Sequence, residues 1–200
     1  MKITNVHSVP EPLVTLASKQ YYSKGKSDYS VTELMSPPRV QRLRAQKDDD
    51  MVSDVSEMLW PLLGSALHVV MERGETEGWT SEERLFTELE GVTISGAIDL
   101  QQNTADGVGI VDYKFTSAWA VMNDKIEWEQ QLNIYAWLVE KVKKMPVVKL
   151  AIIAIVRDWN RRDAQTRQGY PQCQVETIPV NLWTMEEREQ FIRDRSLVQS

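Results

Sequence analysis

The ten residues Val147–Val156 read Val-Val-Lys-Leu-Ala-Ile-Ile-Ala-Ile-Val, with Lys149 as the one charge. Such a run is far too short to span a bilayer. Its length and β-branched content predict a strand covered on both faces. A strand of that kind needs helices above and below its sheet, so it points to an α/β fold. Helical spacing precedes it: Ile126, Leu132, Ile134, Tyr135, Leu138 and Val142 recur through residues 127–143, and Pro146 follows the helix end.

Further upstream, Val55, Leu59, Leu62, Leu63, Leu67, Val70 and Met71 predict a helix over residues 53–73, with Pro61 and Gly64 as irregularities. After a polar turn at 74–81 come three extended segments, 85–89, 92–100 and 108–115. Gly91 and the Asn-Thr-Ala-Asp-Gly stretch at 103–107 supply the turns of an antiparallel meander. A strand at 174–180 and a helix from Thr184 follow the buried strand, and that helix is still open at Ser200, so the chain is expected to run on. Residues 1–30, with Pro10 and Pro12, read as an irregular arm. Ser30 or Thr32 is expected to cap a short helix, and residues 39–46 read as helical as far as Asp48-Asp49-Asp50. The expectation is one structural domain: an arm and helical cap over 1–52, then a core over 53–200 with a mixed central β-sheet flanked by helices. At 200 residues and 42% apolar content, one core is affordable.

The chemistry gathers in the meander. One extended run ends in Gly96-Ala97-Ile98-Asp99 and the next in Val111-Asp112-Tyr113-Lys114. Asp112 and Lys114 are two apart on a strand and leave the same face, while Tyr113 points away and leaves its carbonyl near that face. If the hairpin turns near Asp106-Gly107, Asp99 lies beside Asp112 at roughly 5 Å, or somewhat further on a diagonal. Adjacent carboxylates repel and raise each other's proton affinity unless a cation sits between them, and Mg2+ or Mn2+ suits oxygen ligands. Such an ion polarises a phosphate and binds an attacking water. Lys114 would then position or deprotonate that water, or neutralise charge growing on the phosphate. Taken alone, the Asp-x-Lys tripeptide is common and reads as a surface ion pair.

In order and type, Gly64-Ser65-Ala66-Leu67-His68, Gly96-x-x-Asp99, Asp112-Tyr113-Lys114 and Gln131-x-x-x-Tyr135 resemble the successive motifs of RecB-like nucleases of the PD-(D/E)xK superfamily. The segment 30–44 and Arg157-Asp158-Trp159 resemble phage exonuclease-like members. The resemblance implies a restriction-endonuclease-like core, and His68, Asp99, Asp112 and the Tyr113 carbonyl as metal ligands. It makes Asp99, Asp112 and Lys114 catalytic and puts Gln131 and Tyr135 beside the site, in reach of phosphate or the lysine. It also implies an Mg2+- or Mn2+-dependent deoxyribonuclease, acting from a DNA end in phage recombination, repair or DNA processing. The alternative is a catalytically silent nucleic-acid-binding module on the same fold. A third reading is action on another phosphate ester. Ile98 stands where the superfamily name has proline. Glu88, on the strand before Asp99, is a further candidate to orient the lysine or a bound water.

Cys173 is the one cysteine, which excludes an iron–sulfur cluster or a four-cysteine zinc site held by this chain alone and fits a reducing, cytoplasmic setting, the bacterial host's if the chain is phage-encoded. No signal-like segment or membrane span is expected, and no phosphate-cradling helicase motif is present. The formal charge of −6 is unhelpful for binding DNA, so local basic groups matter: Arg39, Arg42, Arg44 and Lys47; Lys141, Lys143 and Lys144; Arg157, Arg161, Arg162 and Arg167. Phe115, Trp119 and Trp128 flank the loop after Lys114 and are candidates to stack unpaired bases, whereas Trp137, Trp159 and Trp183 read as packing. A single-strand annealing or other recombination protein is the expected partner besides DNA.

Overall fold

The computed structural model describes residues 2–18, 24–47, 50–74, 76–123 and 125–199. Asp48, Asp49, Ser200 and the side chain of Arg44 lie outside the described residues. The central sheet is mixed, as the sequence predicts. Strands β4 (Trp79–Leu89), β5 (Val92–Thr104) and β6 (Gly107–Thr116) form an antiparallel meander. Strand β7 (Val147–Val156) runs parallel to β6, and β8 (Val175–Val180) closes the order antiparallel to β7. The β4–β5 turn is two residues long, Glu90 and Gly91, both at positive φ, the pairing that matches the right-handed twist of a hairpin.

Between β6 and β7 the chain crosses over through helix α6 (Ile126–Lys143). Its residues Leu132 to Val139 are buried on every side, because the sheet lies beneath it and helices α2 (Val31–Met35) and α8 (Met185–Gln199) pack against it. A helix buried all round loses the apolar stripe that marks an amphipathic one. Trp137, Leu138 and Leu132 anchor the core together with Ile94, Ile98, Ile110 and Ile152.

The N-terminal region is more ordered than its composition predicts. In place of an irregular arm it forms β1 (Lys2–Thr4), helix α1 (Glu11–Ser18) and β2 (Tyr29–Ser30), and β2 joins the main sheet beside β5. Ser30 caps α2 through a capping box with Glu33, and Val31 and Leu34 enter the main core. Helix α3 (Pro38–Lys47) and strand β3 (Val52–Asp54), which pairs with β1, lead into helix α4 (Val55–Glu72), capped by Asp54. Strand β4 begins at Trp79 rather than Leu85, a short helix α5 (Ala118–Met122) fills the stretch after Lys114 read as loop, and a second short helix α7 (Arg161–Thr166) follows β7. Among the described residues no helix is long and apolar enough to cross a membrane.

Candidate metal and catalytic site

Strand β5 changes partners along its length. Ile94 and Ser95 pair with β2, whereas pairing with β6 begins only at Leu100, opposite Val111. One step past that pair, Asp99 faces Asp112 where the two strands fork. The ladder bond missing there is replaced by a side chain, since the Tyr113 N–H donates to Asp99 Oδ2 at 2.8 Å. On the other flank, Ser81 opposite Leu100 and Glu83 opposite Ile98 frame Glu82 against Asp99. Three carboxylates, Glu82, Asp99 and Asp112, thus stand in one row across three strands.

Glu82 is held at φ +49°, a left-handed backbone that costs a residue with a Cβ about 1–2 kcal/mol. That twist interrupts the ladder and brings its carboxylate to helix α4. His68 Nδ1 lies 3.2 Å from Glu82 Oε1 and 3.5 Å from Asp99 Oδ1. One ligand atom each from His68, Glu82 and Asp99 falls within 4.8 Å of the others, close enough to share one ion.

Lys114 completes the row from the same face as Asp112. Its Nζ sits 2.6 Å from Asp112 Oδ2 and donates to Gln131 Oε1 at 2.9 Å, and Gln131 Nε2 donates to the Tyr135 hydroxyl at 2.9 Å. Gln131 and Tyr135 are one turn apart on α6, so the helix that fills the core also fixes the lysine. Gly96 permits this approach: a Cβ on it would fall 2.7 Å from the Tyr135 ring and 2.9 Å from Val31. The Gly-x-x-Asp motif and the Gln-x-x-x-Tyr motif are thus in contact.

The electrostatics reflect crowded negative charge. Burial, and then the charge of Asp112, pushes the Asp99 carboxyl up to about 7. His68 is pushed up as well, first by its hydrogen bond to Glu82 and further by the charge of Asp99. Oxygen donors that repel one another, beside an imidazole, fit a divalent cation, which would replace the protons that otherwise relieve the repulsion.

The structure brings together His68, Asp99, Asp112, Tyr113, Lys114, Gln131 and Tyr135. Glu82 escapes sequence reasoning because residues 74–81 read as a turn; the Glu82-Glu83 pair was the available signal. Glu88 does not belong to the site, since it pairs with Thr93 at the far end of the hairpin and is exposed. Trp128 packs on the main core rather than standing at the site, while Trp119 is 60% exposed with Lys125 Nζ 4.8 Å from its ring centroid. Trp137, Trp159 and Trp183 pack as expected. Of the basic clusters, Lys141 pairs with Glu189 and Lys143 with Glu83, so those ammonium groups serve the fold.

The family model of the PD-(D/E)XK nuclease superfamily matches residues 42–193, and the chain belongs to that superfamily. Its members are nucleases that use divalent metals, and DNA is the substrate the superfamily implies. Among solved structures, the crystal structure of SSO0001 superposes with a TM-score of 0.62 at 18% identity, covering 94% of this chain and 85% of that one. At that identity the likeness speaks for the fold alone. No curated protein matches.

Proposed function

We propose that this chain is a RecB-like DNA exonuclease dependent on Mg2+ or Mn2+, of the kind that serves phage recombination, repair or DNA processing. The observation that carries the reading is the carboxylate row of Glu82, Asp99 and Asp112, flanked by His68 at one end and Lys114 at the other. A bound divalent ion supplies Lewis-acid polarisation of the scissile phosphate and a more acidic water. His68, Asp99 and Asp112 hold it, with Glu82 added to that set and the Tyr113 carbonyl beside them. The Tyr113 N–H engages Asp99 Oδ2, which leaves Oδ1 turned toward His68.

Lys114 supplies the positive charge for the attacking water or the phosphate. Its ammonium group is held by Asp112 and Gln131, and Tyr135 steadies Gln131 in turn. Trp119, exposed beside Lys125, contributes to strand binding. The reading extends to the bacterial host cytoplasm and to a single-strand annealing or other recombination protein as partner. The test is incubation of end-labelled single- and double-stranded DNA with the purified chain, in chelator and in manganese. Shortening of the label in manganese alone is the expected result. Retention of the strand with no cleavage in manganese would favour a silent binding module instead.

A further inference from the structure

Trp60 lies on α4, eight residues and two turns before His68, with Gly64 midway between them on the same helical face. It is 54% exposed. An exposed tryptophan alone carries little meaning. This one is held in place: the Arg157 guanidinium carbon sits 4.8 Å from its ring centroid, and the Phe115 ring lies 6.2 Å away at a 43° tilt. One partner sits near the end of β6, which carries Asp112 and Lys114, and the other directly follows β7 beside it. Phe115 follows Lys114 directly, and the Arg157 N–H donates to the Thr116 carbonyl at 2.9 Å.

By strand alternation Phe115 leaves the face opposite Lys114, so the cluster flanks the carboxylate row rather than entering it. Helix α4 joins the two. Between Trp60 and His68 the surface is open, since a Cβ on Gly64 would meet no atom within 4 Å. The separation along the helix is about 12 Å at 1.5 Å per residue. An immobilised ring loses little conformational entropy on binding, and an arginine beside it offers charge to a phosphate in a chain whose net charge is −6.

We infer that Trp60, braced by Arg157 and Phe115, is a stacking platform for one unpaired base of the DNA strand whose backbone reaches the carboxylate row. This inference rests on the nuclease reading above. A base is the occupant that uses both features, because its ring stacks on indole while the adjoining phosphate meets the guanidinium. Trp119 on α5, with Lys125 at the start of α6, is a separate pair and is not required.

The experiment measures anisotropy of a fluorescein-labelled oligothymidylate and of an abasic strand of equal length, in chelator at low salt, where nothing is cut. The wild-type chain is expected to bind the base-bearing strand about tenfold more tightly, as one base stack allows. Trp60→Ala is expected to remove that preference while leaving abasic affinity unchanged, and Trp60→Phe to keep most of it. Arg157→Ala is expected to weaken both strands. A Trp60→Ala chain that still prefers bases as the wild type does, or a wild type with no preference, overturns the inference. Cleavage in manganese is scored separately. Cutting without base preference defeats the platform and spares the nuclease, and base preference without cutting does the reverse.

Discussion

His68 Nδ1 and Glu82 Oε1 meet at 3.2 Å although fourteen positions and a change from helix to strand separate them, and Glu82 reaches the contact through a left-handed backbone. A strained residue kept at a carboxylate row suggests that the side chain is needed there more than the strand is. Glu82→Ala is therefore expected to lower manganese affinity about 10–100-fold, the scale set by losing a group that shapes a metal site. Glu82→Gly is expected to lose the same affinity yet raise the melting temperature in chelator, because glycine accepts positive φ. Calorimetric titration and melting curves read the two effects. Unchanged manganese binding in both variants would remove Glu82 from the site.

Lys114 and Asp112 are expected to be indispensable for cleavage, each alanine variant losing about 10²–10³-fold or more in rate. Their effects on the fold should differ. Asp112 is almost wholly buried, so Lys114→Ala leaves a carboxylate without its counter-ion, at a cost of about 3 kcal/mol in chelator. Asp112→Ala removes a charge that Asp99 disfavours and should cost less. Cleavage of a labelled strand and urea unfolding give the two readouts. Full activity in either variant would sink the catalytic assignment.

How much of this was legible in the sequence follows from how local each feature is. The facing of Asp99 and Asp112 could be read because a short turn, expected near Asp106-Gly107 and formed by Ala105-Asp106, fixes the register of the two strands. The short cap helix announced itself through Ser30, one of the two cap candidates, whereas its capping box with Glu33 came from the structure. Glu82 was hidden because the start of β4, Trp-Thr-Ser-Glu-Glu-Arg, lacks apolar alternation and its key residue is not in a strand conformation. Helix α1 was hidden by Pro10 and Pro12, one just before it and one in its first turn where proline is tolerated. The Trp60 cluster depends on two strand ends and a helix meeting, which no spacing encodes.

Gly96 links the motifs physically, and Gly96→Ala tests the link. A methyl group there meets the Tyr135 ring, Leu138 and Val31, all inside 3 Å and all in the core. Overpacking of this kind costs about 1–3 kcal/mol. Displacement of Tyr135 should also loosen Gln131 from Lys114, so the rate is expected to fall further than stability alone explains. A variant with a lowered melting temperature and an unchanged rate below it would show that the Gly96 contact serves packing only.

Protons and metal compete at the carboxylate row, which fixes a pH dependence. The Asp99 carboxyl is raised from its ordinary 3.8 to about 7, so its contribution is fully present below about 4 and is lost as pH rises through 7. His68, also raised, acts in the same sense: its contribution holds below about 6.5 and fades as pH climbs through its folded value. Asp54, lowered by hydrogen bonds from the Val6 and Ser56 N–H groups, titrates well below this window and leaves it unchanged. The metal-free chain is thus expected to melt lower at about pH 8 than at about pH 5, and manganese to raise the melting temperature more at the higher pH. An equal manganese shift at both values would mean that the ion does not bind where these protons are held.

The last prediction concerns DNA ends. A duplex interior hides its bases, whereas a frayed end offers a single strand for aromatic stacking. Trp60 with Arg157 and Trp119 with Lys125 are exposed rings of the kind such a strand would use. With a net charge of −6, long-range attraction to DNA is weak and binding must rest on a few local cations, so cleavage should fall as salt screens them. Comparing linear DNA with its covalently closed circle of the same sequence, in manganese at low salt, isolates the effect of an end. The linear form is expected to be degraded and the circle spared. If the circle is cut as fast as the linear form, the enzyme is an endonuclease and the aromatic rings do not select ends, although the carboxylate row can still be its metal site.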